Sequence, residues 1–435
     1  MIRILSVLLV LAAGPLRAEV DIQEITSPGG ITAWLVEEDS IPFTALELRF
    51  RGGTSLDEEG KRGAINLMTG LIEEGAGDLT AQEFQATRES LAASFEFDAY
   101  DDAVSIGARF LTENRDDAIA LLKLALTEPR FDEDAIERVR AQVIAGLRAE
   151  DKDPDDIAQE TFAFEAFGDH PYGTNESGTL ESVATLTRDD LIAAHSNVLA
   201  RDRVYVSAVG DITPEELGAL IDDLLGDLPE AGAPMPEPVP VGIEGGVTVV
   251  PFDTPQSSII FGHEGMERDD DDFFAAFILN TILGGTNFET RLMQEVRVNR
   301  GLTYGIYSYL VPKDHAALYL GSVATSNDRV AETIEVIRDE WRRMAEEGVT
   351  PDELQTAKTY LTGAYPLRFD GNGPIASILV GMQMQGLPID YVNTRNDQVM
   401  AVTLQDINRV AGELLDPDAL HFTVVGQPEE VETTN

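Results

Sequence analysis

Apolar-rich runs over Ile31 to Val36 and Thr44 to Phe50, the second alternating from Leu46 to Phe50, predict two strands near the start of the chain. A helical stretch is expected from about Arg62 and another from Thr80, whose short hydroxyl side chain suits an N-cap. Ser94 to Tyr100 and Ala103 to Phe110 read as a strand pair turning at Asp101-Asp102, followed by helices over Asn114 to Leu126 and Asp132 to Ala149. After more helix, Val204 to Val209 is a strand and Thr213 caps a further helix. The same order then recurs. Val247 to Pro251 and Ser257 to His263 predict strands, Asp270 to Leu283 and Glu289 to Asn299 helices, and Tyr304 to Leu310 pairs with Ala316 to Val323. Helices from about Arg329 and Pro351 and a last strand, His421 to Val425, complete the second series.

The recurrence extends to short phrases. FLTENRDDAIALLKLAL from Phe110 parallels SVATSNDRVAETIEVIRDEW from Ser322, and FDEDAIERVRAQVIAGL from Phe131 parallels VTPDELQTAKTYLTGAY from Val349. A duplicated α+β unit of roughly 200 residues accounts for both parallels. Hairpins outnumber strand-helix-strand crossovers, so each half is expected to be a largely antiparallel sheet with helices packed on one face. Between the halves, residues 229–246 are rich in proline and lack apolar periodicity, the composition of a stiff, semi-extended linker.

Charge changes the picture next. The 435 residues carry 31 Lys+Arg against 78 Asp+Glu, a formal charge of −47, yet 43% are apolar and fall in periodic runs, so the excess acid must coat folded surfaces. Such a surface repels phosphate backbones and anionic headgroups, which disfavours nucleic-acid and peripheral membrane binding. Cysteine is absent, which removes disulfides, thiolate zinc sites and thiol nucleophiles together. Arg3, the apolar run Ile4 to Gly14 and the Leu16-Arg17-Ala18 ending read as a cleaved secretory signal. No later run is long enough for a membrane helix. The expected division is therefore 1–18 signal, 19–228 first domain, 229–246 linker and 247–435 second domain, in a protein exported to the periplasm.

Three phrases point to chemistry: RGGTSLDEEGKRGAINLMTGLIEEGAG from Arg51, HPYGTNESGTLESVATLTRDDLIAAHSNVLARDRVYVSAVGDI from His170, and ILGGTNFETRLMQEVRVNRGLTYGIYS from Ile282. With the duplicated order of elements, they resemble the pitrilysin, insulinase and mitochondrial processing peptidase family of zinc endopeptidases over essentially the whole mature chain. The resemblance implies two homologous domains facing each other across a chamber. It also implies an inverted zinc motif, His-x-x-Glu-His, on the helix after the first strand pair, with a further glutamate ligand from a later helix. Two histidines at that spacing meet one metal from one helix face while the glutamate polarises the water. Here Asn66, Thr69 and Gly70 occupy the His, Glu and His positions, and the later glutamate falls near Ala145 or Gly146. The three metal donors and the water-polarising glutamate are all lost, so no metal and no catalytic residue is expected on this chain.

Zinc elsewhere is equally disfavoured. His170, His195, His263, His315 and His421 are scattered, with no two within one helical turn. His170 reads as a turn residue closing a helix and His195 as a packing residue. The acidic run Asp269 to Asp272 lacks the spacing of a calcium loop, and Gly284-Gly285 reads as a helix-ending turn rather than a phosphate cradle.

The family's substrate-binding Arg and Tyr, seven positions apart, are matched by Arg297 and Tyr304, with Arg300 a neighbouring competitor. A guanidinium and a phenol donate to a peptide carbonyl and gain most when it becomes an oxyanion. The resemblance thus implies a non-catalytic, substrate-binding subunit of a heterodimeric zinc endopeptidase: a homologous partner carries the zinc and unfolded peptides are the substrate. The alternative is an inert peptide-binding or scaffold protein of the cell envelope. Hydrolysis by this chain alone is disfavoured, because no activated nucleophile is visible.

Overall fold

The computed structural model describes residues 21–434; the segment expected to be a secretory signal lies outside the described residues. The first half comprises strands β1 (Gln23–Thr26), β2 (Thr32–Glu37), β3 (Phe43–Arg51), the two-residue β4 (Gly75–Ala76) and β5 (Leu79–Thr80), β6 (Ser94–Ala99), β7 (Ala103–Leu111) and β8 (Val204–Gly210). Its helices are α1 (Ala64–Thr69), α2 (Ala81–Ser90), α3 (Arg115–Thr127), α4 (Glu133–Glu150), α5 (Pro154–Phe167), α6 (Leu180–Thr185), α7 (Arg188–Val198) and α8 (Pro214–Leu225). The second half has β9 (Gly246–Pro251), β10 (Gln256–Glu264), β11 (Ile306–Pro312), β12 (Ala317–Ser326) and β13 (His421–Gly426). Its helices are α9 (Phe273–Leu283), α10 (Val330–Glu347), α11 (Pro351–Ala364), α12 (Asn372–Met384), α13 (Tyr391–Ala401) and α14 (Leu404–Leu414).

The duplication is visible in strand order. One sheet runs β1-β2-β8-β3-β7-β6 and the other β9-β13-β10-β12-β11, so that apart from β1 the two orders correspond strand for strand. Each is antiparallel except for one parallel pair, β2 with β8 and β9 with β13. Along β3, Leu46, Leu48 and Phe50 point into the main core while Glu47, Arg49 and Arg51 take the opposite face, the period-two division of a strand. Helix starts carry reciprocal caps, Thr80 with Glu83, Thr213 with Glu216 and Thr350 with Glu353 among them. No described helix is long and apolar enough to cross a membrane.

The main helical layer lies on one face of each sheet, and the second face carries a helix from the opposite half. Ala376, Leu379 and Met382 of α12 pack on Trp34, Ala45 and Val209 of the first sheet, where Gln383 donates to Val206 O at 2.8 Å and Ser207 Oγ to Ala376 O at 2.7 Å. Reciprocally, Ala158, Phe162 and Ala166 of α5 pack on Ile260 and Val425 of the second sheet, and Glu165 accepts from Thr248 Oγ1 at 2.6 Å and Thr423 Oγ1 at 3.1 Å. Each half buries an apolar sheet face only with the other half's helix, so the two are expected to fold together. Residues 230–245 contain no helix or strand. They are tied down where Ala233 N donates to Asn197 O (2.9 Å), Val239 N to His315 O (2.9 Å) and Gly242 N to Ala166 O (2.7 Å). The halves face each other across a seam that contains cavities of about 500 and about 540 Å³.

Candidate functional site

Helix α1 begins without a capping side chain, because its N-cap is Gly63 at φ 89°, where a Cβ would come within 2.4 Å of Ser177 O. Asp57 supplies the missing acceptor from outside the helix: its carboxylate takes the N–H groups of Gly63 at 2.7 Å and Ile65 at 2.9 Å. Burial raises the Asp57 pKa to about 6 against the pull of Arg62 and of these backbone donors. The start of α1, the helix expected to correspond to the zinc helix, is thus fixed from outside by Asp57.

Its donors are gone. Asn66 is half-buried, and Thr69 is buried with its hydroxyl donating back to Ile65 O at 2.8 Å. Gly70 ends the helix, and a Cβ there would meet Val139 Cγ1 of α4 at 3.4 Å. Ala145 and Gly146, further along α4, are exposed, and a Cβ at Gly146 would meet nothing within 4 Å. A zinc ion needs imidazole, thiolate or carboxylate donors, and neutral amide, hydroxyl and hydrogen do not fit it. Among the described residues, no group of three His, Asp or Glu could hold a metal.

The histidines have packing and hydrogen-bonding partners. His170 Nδ1 accepts from Tyr172 N at 3.2 Å and so caps a short 3₁₀ turn just after α5. His195 Nε2 lies 2.8 Å from Leu126 O, and His263 Nε2 accepts from Trp341 Nε1 at 3.0 Å. His421 Nε2 lies 2.9 Å from Glu165.

Arg297 sits on a π-helical turn, Met293–Asn299, where the sequence pattern led to the expectation of an ordinary α-helix. Its guanidinium lies 4.7 Å over the ring of Phe288, which is itself exposed. Tyr304 precedes β11 instead of opening it and is 85% exposed. Thr303 Oγ1 fixes this stretch through Gly305 O at 2.9 Å and Ala324 O at 2.7 Å. Among the described residues no hydrogen bond or cation–π contact joins Arg297 to Tyr304. The neighbouring Arg300 is engaged by Glu295, donating to its backbone oxygen at 2.9 Å and pairing with its carboxylate. Two further rings, Tyr307 and Tyr309, project from β11, the edge strand of its sheet. Their i, i+2 spacing was a readable signal that went unused.

Opposite lies β6, the edge of the first sheet. On the sheet face reached by α12, Glu47 of β3 is largely buried; burial pushes its carboxyl up to about 7, with Glu96 and Asp98 adding to the shift and Arg49 and Arg109 opposing it. The turns that end the two edge hairpins meet at the seam. Lys313 is ion-paired with Asp101, Tyr172 donates its phenolic hydrogen to Asp102, Asp314 N donates to Asp102 Oδ2 at 3.0 Å, and Arg51 pairs with Asp314 at 3.2 Å.

The molecule is thus a duplicated sheet-and-helix fold with exchanged helices in which, among the described residues, no group of three His, Asp or Glu could hold a metal. Residues 185–361 match the family model described as peptidase M16 inactive domain. The chain is 26% identical over 395 residues to a non-peptidase homolog of Helicobacter pylori, covering 91% of each. It is 30% identical over 289 residues to an uncharacterized zinc protease of Mycobacterium leprae, covering 65% of this chain and 64% of that protein. The crystal structure of a peptidase M16 inactive domain from Pseudomonas fluorescens superposes with a TM-score of 0.88 at 27% identity, covering 95% of this chain and 99% of that one. Residues 185–361 thus match a peptidase M16 inactive domain, and over nearly its whole length the chain is similar to inactive relatives of the peptidase M16 family.

Proposed function

We propose that this chain is the non-catalytic, substrate-binding subunit of a heterodimeric zinc endopeptidase that acts on unfolded peptides outside the inner membrane, in the periplasm. One observation carries the reading: Asn66, Thr69 and Gly70 at α1 offer no imidazole or carboxylate, while Arg297 and Tyr304 are retained, Tyr304 almost fully exposed. In this reading zinc and the attacking water come from a homologous partner subunit, and the chain itself holds no cofactor. Arg297 and Tyr304 donate to the peptide carbonyl and then to the oxyanion it becomes. The unpaired edges of β6 and β11 supply backbone donors and acceptors for an extended peptide, which gives affinity without demanding one sequence.

The test is to purify the tagged chain from the native cell envelope and analyse what accompanies it. A homologue bearing His-x-x-Glu-His, in about equal amount and with about one zinc per pair, supports the reading. Recovery of the chain alone and without metal removes it and leaves a peptide-binding or scaffold role.

A further inference from the structure

Against an excess of 78 Asp+Glu over 31 Lys+Arg, one cavity stands out. A space of about 500 Å³ at the seam is lined by Arg49, Arg268, Arg368 and Arg395 and by no Asp or Glu. It lies where α12 leaves the second half to cover the first sheet: β3 supplies Arg49, the loop before α9 Arg268, the turn after α11 Arg368, and α13 Arg395. Its volume is that of an ordinary ligand cavity.

None of these four arginines is ion-paired among the described residues, whereas arginines elsewhere such as Arg115, Arg291 and Arg409 are. Arg395, 6% exposed, is held by neutral acceptors, Leu361 O at 3.0 Å and Asn396 Oδ1 at 3.1 Å, with its guanidinium 4.6 Å from the Tyr365 ring centre. Arg268 lies 4.4 Å over Phe273 and donates to Tyr391 Oη at 3.0 Å. Arg49 donates to Ser377 Oγ at 3.2 Å, and its Nε is buried without an acceptor. Arg368 stands at the exposed rim with no polar partner among the described residues.

Aromatic rings hold the flat face of a guanidinium and leave its N–H edge free to donate in the plane. Gathering four cations around one space whose lining holds no carboxylate costs free energy, through desolvation of the buried ones and mutual repulsion of all. Burial lowers the Arg395 pKa from its ordinary value, and no carboxylate opposes it. An anion in the cavity relieves both costs.

We infer that this cavity is a carboxylate-recognition site that takes an anionic peptide group carried on an apolar or aromatic residue. The remaining lining selects such a body: Leu310, Ile378, Met382 and Leu387 lie beside the rings of Phe273 and Tyr391. A planar carboxylate accepts two parallel N–H bonds from one guanidinium fork. Tyr309 lines both this cavity and its neighbour of about 540 Å³, so a bound chain runs from one into the other along the seam. Naming a peptide as the source rests on the function proposed above; the carboxylate chemistry does not.

The experiment is fluorescence anisotropy with the purified chain alone and three labelled short peptides. One ends in Phe with a free carboxylate, one is its C-terminal amide, and one is amidated with Glu before the Phe. The free acid is expected to bind saturably, with amidation, Arg268→Gln or Arg368→Gln each weakening it on the order of tenfold. Equal binding of the Glu peptide assigns the carboxylate to a side chain, and the site stands. Equal binding of acid and neutral amide, or no saturable binding of either acidic peptide, overturns it. Arg368→Glu, at the exposed rim, keeps the test decisive where circular dichroism shows that Arg268→Gln has not folded. No zinc-bearing partner or hydrolysis enters, so failure here and failure of the subunit reading are separate results.

Discussion

Lys313 reaches across the seam to Asp101, joining the β11–β12 turn to the β6–β7 turn, the same hairpin of the duplicated unit in its two copies. Lys313 also lies 4.4 Å over the ring of Tyr172, whose hydroxyl is bonded to Asp102. The two edge strands nearest the seam are therefore held together at their tips.

Replacing Lys313 tests that clasp. Asp101 keeps a second cation, Arg62 at 3.4 Å, so Lys313→Met is expected to cost only about 1 kcal/mol of global stability. Hydrogen exchange in both turns should nevertheless rise, because their shared contact is lost. Unchanged exchange in both turns would show that α5 and α12 alone hold the halves together.

Glu47 sets a pH dependence. Burial holds its carboxyl at about 7 in the folded chain, above its ordinary 4.5. The folded state thus holds the proton more tightly than the unfolded one. Its contribution to stability is fully present below pH 4.5, declines as pH rises toward 7, and is lost above. Glu47→Gln removes that slope, so urea midpoints of the variant should gain on the parent between pH 4.5 and 7 and run parallel to it above. A difference independent of pH would place Glu47 in solvent.

The α1 scaffold should accept its donors back. A Cβ at Gly146 meets nothing within 4 Å, and one at Gly70 meets only Val139 Cγ1 closely, at 3.4 Å. The combined variant Asn66→His, Gly70→His and Gly146→Glu is expected to bind about one zinc by titration calorimetry, with the parent binding none. Absence of binding by a folded variant would mean that α1 and α4 are not placed as in a zinc site.

Much of this architecture was legible locally. The repeated phrases at Phe131 and Val349 mark α4 and α11, equivalent helices, and Gly284 ends α9 as its pattern implied. The exchange of α5 and α12 was not legible, because Phe162 and Leu379 are equally apolar whichever sheet they cover, and only long-range packing decides. The π-turn carrying Arg297 keeps helical residue types, so composition does not separate it from an α-helix. The arginine cavity escaped for a similar reason. Its four arginines are spread from position 49 to 395 and read singly as surface charge. Asn66, Thr69 and Gly70, expected from the sequence to stand at the zinc-motif positions, lie in or at the end of one short helix.

The central claim is that this chain completes a partner's active site through Arg297 and Tyr304. The most direct measurement is peptide hydrolysis by the chain reconstituted with a zinc-bearing homologue, comparing the parent with Arg297→Ala and Tyr304→Phe. Each substitution is expected to lower kcat by roughly 10²-fold, as loss of one oxyanion donor does, without dissociating the pair. Hydrolysis unchanged by either substitution in an intact pair would contradict the claim and leave the chain a scaffold.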